Sequence, residues 1–320
     1  MHYKGLKLDR FQEEAIASIE RGHSVIVSAP TGAGKTVIAE YAVEKALEEG
    51  ERIIYTAPIK ALSNQKFRDF GREHGDQIGI MTGDVTINRD APVLIMTTEI
   101  FRNTLFESPD NLQGVTYVIF DEIHYIDDEE RGTVWEESII FAPSFINFIC
   151  LSATIPNIHE FASWIKRTRE CKIDVIEVRE RPVPLIHSLY IKGYGVGTVK
   201  DLRQLTLPRS SGSRRHRTRW RSPRRFHQEI SKEDRQKRGE KGEDELLDYL
   251  VEHDQLPCLY FSFSRRACES KAFAHLWRDL LNPEEKHEIE EYYSTLCEQY
   301  DIQGERSAMM LSKLVANGIA

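Results

Sequence analysis

None of the five cysteines, Cys150, Cys171, Cys258, Cys268 and Cys297, stands in a Cys-x-x-Cys pair or a short ligand cluster. That argues against a zinc ribbon or a disulfide framework and for reduced, mostly buried thiols. Long apolar runs are also lacking. The longest, Ser138 to Cys150, is interrupted by Pro143, Ser144 and Asn147, too short and too broken for a membrane-spanning helix. The N-terminal residues MHYKGLKLDR hold no apolar stretch of the signal-peptide kind, so the cytoplasm is the expected location. Overall positive charge is missing too. The net charge is −8, although Arg209 to Arg225 contributes eight arginines and no acid, and removing those eight leaves −16 on the rest. So acidic a body would not attract a polyanion by its general field, and any nucleic-acid binding must come from local basic groups and backbone donors.

A chain of 320 residues is long enough for two ordinary domains. From Asp9 to Arg21 the apolar positions recur at helical spacing, with Asp9 as N-cap. Short apolar runs then alternate with amphipathic patterns. The runs are 24–27, 53–56, 93–97, 117–120, 145–151 and 173–178, and the helical patterns lie at 37–48, 60–73, 99–106 and 158–165. Strands this apolar are covered on both faces, so residues 1–190 read as an α/β domain with a doubly wound parallel sheet. Residues 191–241 read as a linker carrying a basic insert, Pro208 to His227. Residues 242–320 open a second domain with a helix from Asp244, a strand at Cys258 to Phe263, a helix at Arg265 to Leu281 and a helix start at Asn282-Pro283.

The run Ser24 to Val27 leads into Ala29-Pro30-Thr31-Gly32-Ala33-Gly34-Lys35-Thr36 and then a helical pattern. That strand, loop and helix order is what a phosphate cradle needs. Gly32 and Gly34 allow backbone N–H groups to turn inward, Lys35 can reach the β and γ phosphates, and the Thr36 hydroxyl can ligate Mg²⁺. At Val118 to His124 an apolar strand ends in two carboxylates. Asp121 suits Mg²⁺, and Glu122 suits orienting and deprotonating an attacking water. Kinases, GTPases and transport ATPases share such a loop, but the chain has neither an Asn-Lys-x-Asp guanine reader nor a Leu-Ser-Gly-Gly-Gln signature. Adenine is therefore the expected base and ATP the expected nucleotide.

Six segments in order, APTGAGKT, TAPIKALSNQKF, TGD, MTTE, DEIH and LSAT, resemble the motifs of superfamily-two helicases of the DExH kind, most of all the superkiller and exosome-associated RNA helicases. The resemblance implies a RecA-like first domain followed by a partial second RecA-like domain, in which YFSFSRRACE at Tyr260 to Glu269 matches the first motif. It assigns Gln12 to the adenine edge, Ala29, Thr31, Gly32, Ala33 and Gly34 to the loop, Lys35, Thr36 and Asp121 to phosphate and Mg²⁺, and Glu122 to the water. It assigns His124, Ser152 and Thr154 to coupling nucleotide state with domain closure, and Pro58, Lys60, Gly83, Thr98 and Glu99 to a single-strand track, RNA preferred and DNA possible. The Gln-x-x-Gly-Arg-x-Gly-Arg segment that carries the family's arginine finger has no match in the sequence, so weak or absent turnover is expected of this chain. A silent ATP- or RNA-binding fragment is the non-enzymatic alternative. For the insert, an RNA-binding arm and a solvated interdomain linker both fit its arginine-rich composition.

Overall fold

In the computed structural model, the apolar runs of the first half send alternate side chains to two opposite cores, as extended backbone must. Val25 and Val27 face one core and Ile26 the other; Ile53 and Tyr55 oppose Ile54, Ile119 opposes Val118 and Phe120, and Ile149 and Leu151 oppose Phe148 and Cys150. The structure describes residues 1–191, 195–201, 245–299 and 302–320. These fall into two compact units, Met1–Ile186 and His187–Ala320. Of the expected linker, only 191 and 195–201 are described, and the basic segment 208–227 lies outside the described residues.

The first unit opens with an antiparallel pair, β1 (His2–Tyr3) and β2 (Leu6–Lys7), before α1 (Arg10–Glu20). There follow β3 (Ser24–Ser28), α2 (Thr36–Glu49), β4 (Arg52–Ala57), α3 (Lys60–His74), β5 (Ile78–Met81), β6 (Thr86–Ile87), β7 (Val93–Thr97), α4 (Thr98–Glu107) and β8 (Val115–Phe120). The unit continues through α5 (Gly132–Phe141), β9 (Asn147–Ser152), α6 (Ile158–Arg169) and β10 (Ile173–Glu177). The sheet order is β10-β3-β9-β8-β4-β7-β5-β6, and every pairing is parallel except that of β5 with β6. Phe11 and Ala15 of α1, Ile38 and Ala42 of α2 and Phe70 of α3 cover one face. Phe101 of α4, Trp135 and Ile139 of α5 and Ile165 of α6 cover the other. This is the doubly wound α/β arrangement the alternation predicts.

Local chemistry sets the element ends. Asp9 caps α1, and Gln12 closes the capping box by accepting the Asp9 N–H at 2.8 Å. Gly50 ends α2 at φ 70°, a left-handed position that glycine occupies without a Cβ penalty. The short strands β1, β2, β5 and β6 and the helix α5 escape the sequence reading. The strand β5 is only four residues long with a glycine inside it, and α5 begins on a glycine, one residue after an acidic run.

The second unit pairs β11 (Leu189–Ile191) with β12 (Gly195–Gly197) and holds the helices Arg265–Ala274, Pro283–Gln299 and Arg306–Val315 besides helical residues 245–252. The helix at Pro283 starts as expected, with Asn282 Oδ1 accepting from the N–H groups of Glu284 and Glu285. The strand expected at 258–263 is not formed. Leu259, Phe261 and Phe263 are strongly exposed, because among the described residues no strand lies alongside to take the backbone hydrogen bonds that an apolar strand requires. The helix from Arg265 ends at Ala274 rather than Leu281. Past its end the buried Arg278 donates to Asp248 Oδ1 at 2.6 Å, which pins that turn away from the helical path.

Candidate active site

Parallel strands deliver their C-terminal loops to one edge of a sheet, the usual ligand edge of a doubly wound fold. Along that edge the strands run β3, β9, β8, β4, β7, β5. The glycine loop after β3, the Leu151–Thr154 turn after β9 and the acid pair after β8 are thus neighbours. The segments beginning at Pro58, Thr98 and Thr82, after β4, β7 and β5, form the other half.

The glycine loop has the geometry of an anion cradle. Gly32 and Gly34 sit at φ +84° and +85°. Among the described residues, no protein acceptor meets the N–H groups of Gly32, Gly34, Lys35 or Thr36, whereas those of Val37 and Ile38 are taken by Gly34 O and Lys35 O. Thr36 opens α2, adding the partial positive charge of a helix N-terminus. Ala29 and Ala33 are buried under the loop, and Thr31 is exposed at its tip. Lys35 folds back so that Nζ donates to Ala29 O at 2.7 Å and Pro30 O at 3.1 Å. Burial lowers the Lys35 pKa, while the charges of Glu122 and Asp121 pull it back up. Gln12 is buried with both polar ends engaged, Oε1 with the Asp9 N–H and Nε2 with Gly34 O at 2.9 Å. It therefore braces the loop directly.

That brace makes the two glycines unequal. A Cβ on Gly34 would lie 2.8 Å from Gln12 Nε2, whereas one on Gly32 would meet nothing within 4 Å. Gly32→Ala then suffers only the left-handed strain of about 1–2 kcal/mol. Gly34→Ala must also displace Gln12. Titration with a fluorescent ATP analogue is expected to give a Kd at least about fivefold weaker for Gly34→Ala than for Gly32→Ala, about 1 kcal/mol apart. Equal losses would refute the bracing role.

At the end of β8, Asp121 is held from both sides: Tyr55 donates its hydroxyl to Asp121 Oδ2, and the Asp121 N–H binds Thr56 O at 3.0 Å. Glu122 adopts φ 53° and ψ 44°. A non-glycine residue in that region is strained, which turns its side chain out of the strand line. Burial raises the Glu122 pKa, the Asp121 charge adds to the rise, and His124 and Lys35 oppose it. His124 Nδ1 lies 3.2 Å from Glu122 Oε2 without the alignment of a hydrogen bond.

The turn after β9 is tied to the glycine loop at its root. The Ala29 N–H binds Ser152 O at 3.1 Å, and Ser28 Oγ accepts the Ile155 N–H at 3.1 Å while donating to Ala153 O. Ser152 Oγ is fully buried without a protein partner, and Thr154 is exposed. In the other half, Pro58 and Thr98 are buried, and Thr98 Oγ1 lacks a protein partner. Lys60 opens α3 and pairs with Asp84, next to Gly83 in the turn closed by the Thr82 N–H on Val85 O. Glu99 lies in the first turn of α4 and pairs with Arg131.

The structure thus sets the predicted loop residues along one sheet edge, with Gln12 of α1 joined to the glycine loop, and adds three that sequence reasoning passed over. Tyr55 sits inside an apolar run, Ser28 falls between the apolar run at 24–27 and the glycine loop, and Arg131 follows four acids. No local signal marks Tyr55 or Ser28, because their partners are contributed by neighbouring strands; an arginine beside a glycine at a helix start is the one visible trace of Arg131.

All six segments fall inside the stretch of one family match. The DEAD/DEAH box helicase family model matches residues 9–161. The mRNA transport homolog 4 of Caenorhabditis elegans is 40% identical over 330 residues, covering 98% of this chain and 30% of that protein. The antiviral helicase SKI2 of Saccharomyces cerevisiae is 54% identical over 187 residues, 58% of this chain and 14% of that protein. The human exosome RNA helicase MTR4 is 42% identical over 303 residues, 90% of this chain and 27% of that protein. The chain therefore spans less than a third of the length of these relatives.

Proposed function

Because this chain carries a DEAD/DEAH box helicase domain, we propose that it works as an ATP-dependent RNA helicase of the DExH kind. The observation that carries the reading is the order of loops along the sheet edge, with phosphate, acid and coupling loops on β3, β8 and β9, and the expected strand track on β4, β7 and β5. Nucleotide is cradled by the loop N–H groups, Lys35 and the N-terminus of α2, while Thr36 and Asp121 would hold Mg²⁺. When bound, that ion would neutralise charge on the phosphate oxygens. Tyr55 and the Thr56 carbonyl fix Asp121 for that task, and Glu122 takes the proton of the attacking water. The adenine-edge role of Gln12 requires its amide to leave Gly34 O.

Nucleotide state reaches the rest of the site through the Ser28 and Ser152 contacts at the loop root and through His124 beside Glu122. Lys60, Gly83, Thr98, Glu99 and Pro58 line the strand, and the N-termini of α3 and α4 face its phosphates with peptide dipoles, which add no net charge to an acidic body. Among the described residues no helix is long and apolar enough to cross a membrane. The free cysteines fit a reducing compartment, and the cytoplasm is the proposed location.

Relatives named as RNA helicases favour RNA over DNA as the strand. The deciding measurement is ATP hydrolysis by the purified protein with single-stranded RNA, with single-stranded DNA and with neither. Slow hydrolysis is expected, as the unmatched arginine-finger segment implies, raised more by RNA than by DNA. Preference for DNA would replace the RNA reading with a DNA helicase, and hydrolysis unaffected by either would leave a nucleotide-binding module.

A further inference from the structure

A carboxylate is an odd lining for a channel that takes phosphates, yet Glu99 stands in the first turn of α4, directly after Thr98. Arg131 resolves the oddity. Its Nε donates to Glu99 Oε1 at 3.1 Å, its Nη2 pairs with the same oxygen and donates also to Pro58 O at 2.5 Å, and its guanidinium carbon lies 5.5 Å from the centre of the Trp135 ring. One planar group thus ties the loop after β4 to the helix after β7 and cancels the one acid in the expected track.

The chain around Arg131 is built to present it. Asp128 Oδ1 accepts the N–H groups of Glu130 and Arg131 at 3.0 and 2.9 Å, and the Gly132 N–H binds Asp128 O at 2.8 Å. A Cβ on Gly132 would stand 2.3 Å from Ile126 O, so only glycine lets the chain turn there into α5. Trp135 is fully buried and stacks on Tyr125 at 6.0 Å between ring centres, which fixes the far side of the guanidinium. The turn that holds Arg131 directly follows the acid-pair segment, so the nucleotide half of the edge reaches the strand half through it.

We propose that Arg131 is a positioning residue for the nucleic-acid strand: it aligns the Pro58 and Glu99 segments and neutralises Glu99 so that phosphates can pass. This rests on the strand track of the preceding section. Without Arg131 the Glu99 carboxylate is left uncompensated against the strand, and the two segments lose their common anchor. Lysine keeps the charge but not the planar fork that serves both acceptors.

The test is fluorescence anisotropy of a labelled single-stranded oligoribonucleotide with the full chain, alongside titration with a fluorescent ATP analogue and a thermal melt. Arg131→Gln is expected to weaken strand binding at least about tenfold while nucleotide Kd moves less than about twofold. The Arg131→Gln/Glu99→Gln double variant is expected to recover part of the lost strand affinity, because the bare charge is gone while the tie to Pro58 stays broken; a merely structural arginine would give no such rescue. Strand affinity equal to wild type in Arg131→Gln overturns the proposal, as does failure of the double variant to recover. If Arg131→Gln melts far below wild type, Arg131→Lys takes its place, with an intermediate loss expected and no loss counting against. A wild-type protein that binds nucleotide but no strand overturns the strand track itself, and with it this inference.

Discussion

Glu122→Gln is expected to bind ATP as well as the parent protein, or more tightly, and to hydrolyse it at least about a hundredfold more slowly. Glutamine matches the shape of the side chain and its backbone demands, so the left-handed turn at φ 53° and the place of Asp121 should survive. What it cannot do is accept a proton. Burial and the neighbouring Asp121 charge make Glu122 a better base than an exposed carboxylate, and that advantage vanishes with the charge. Binding should not suffer, since one negative charge facing the phosphates is removed. Single-turnover hydrolysis with protein in excess isolates the chemical step even where turnover is slow. Equal rates in the two proteins would take Glu122 out of the role of base and turn attention to His124, 3.2 Å away.

Lys35→Ala should fail one step earlier. The ammonium now rests on Ala29 O and Pro30 O inside the loop, where it shapes the cradle and supplies its formal positive charge. Its removal loses a charge-assisted contact to phosphate and frees two carbonyls that point into an anion site. A nucleotide Kd about a hundredfold weaker is expected, about 2.8 kcal/mol, since each tenfold step is about 1.4 kcal/mol. The fold should hold, because Lys35 is not part of either core. Unchanged affinity in an equilibrium titration would mean that the α2 N-terminus and loop amides carry the binding alone. The two variants therefore separate capture from chemistry: Lys35→Ala raises Kd, and Glu122→Gln slows the bound complex.

Much of the first unit was legible because its determinants are local. Continuous apolar runs mark β3, β4, β7, β8, β9 and β10, since a strand covered on both faces has no polar face to interrupt the signal. Helical spacing marks α1 to α4 and α6, and Asp9 announces the start of α1 by residue type, as Asn282 does for a helix of the second unit. The misses have the opposite character. At 258–263 the residues Leu259 to Phe263 have strong strand chemistry, yet strand formation depends on neighbours that the residues themselves do not specify. α5 is stabilised by burying Trp135 and Ile139 in the core shared with α4 and α6, a reason that exists only after the chain has folded. Arg278 likewise ends a helix by reaching Asp248, thirty positions earlier.

The sequence by itself determined which chemistries are present, a glycine loop with Lys35 and Thr36 and a carboxylate pair, because each of these is a property of residue type and short spacing; the strand track entered only as what the family resemblance implies. Only the tertiary structure decided who stands beside whom. Along the chain, the segments at Pro58, Gly83 and Thr98 lie between the glycine loop and the acids; in the sheet, β9 inserts between β3 and β8, so the glycine loop, the β9 turn and the acid pair gather in one half and the segments proposed as the strand track in the other. The tyrosine on Asp121, the Ser28 contacts to the β9 turn and the Arg131 tie across Glu99 and Pro58 all join residues brought side by side by strand order and packing. The physical reason is that a parallel sheet buries every strand on two faces and leaves adjacency to the crossover helices, so neighbourhood at the loop edge is a property of packing rather than of any segment.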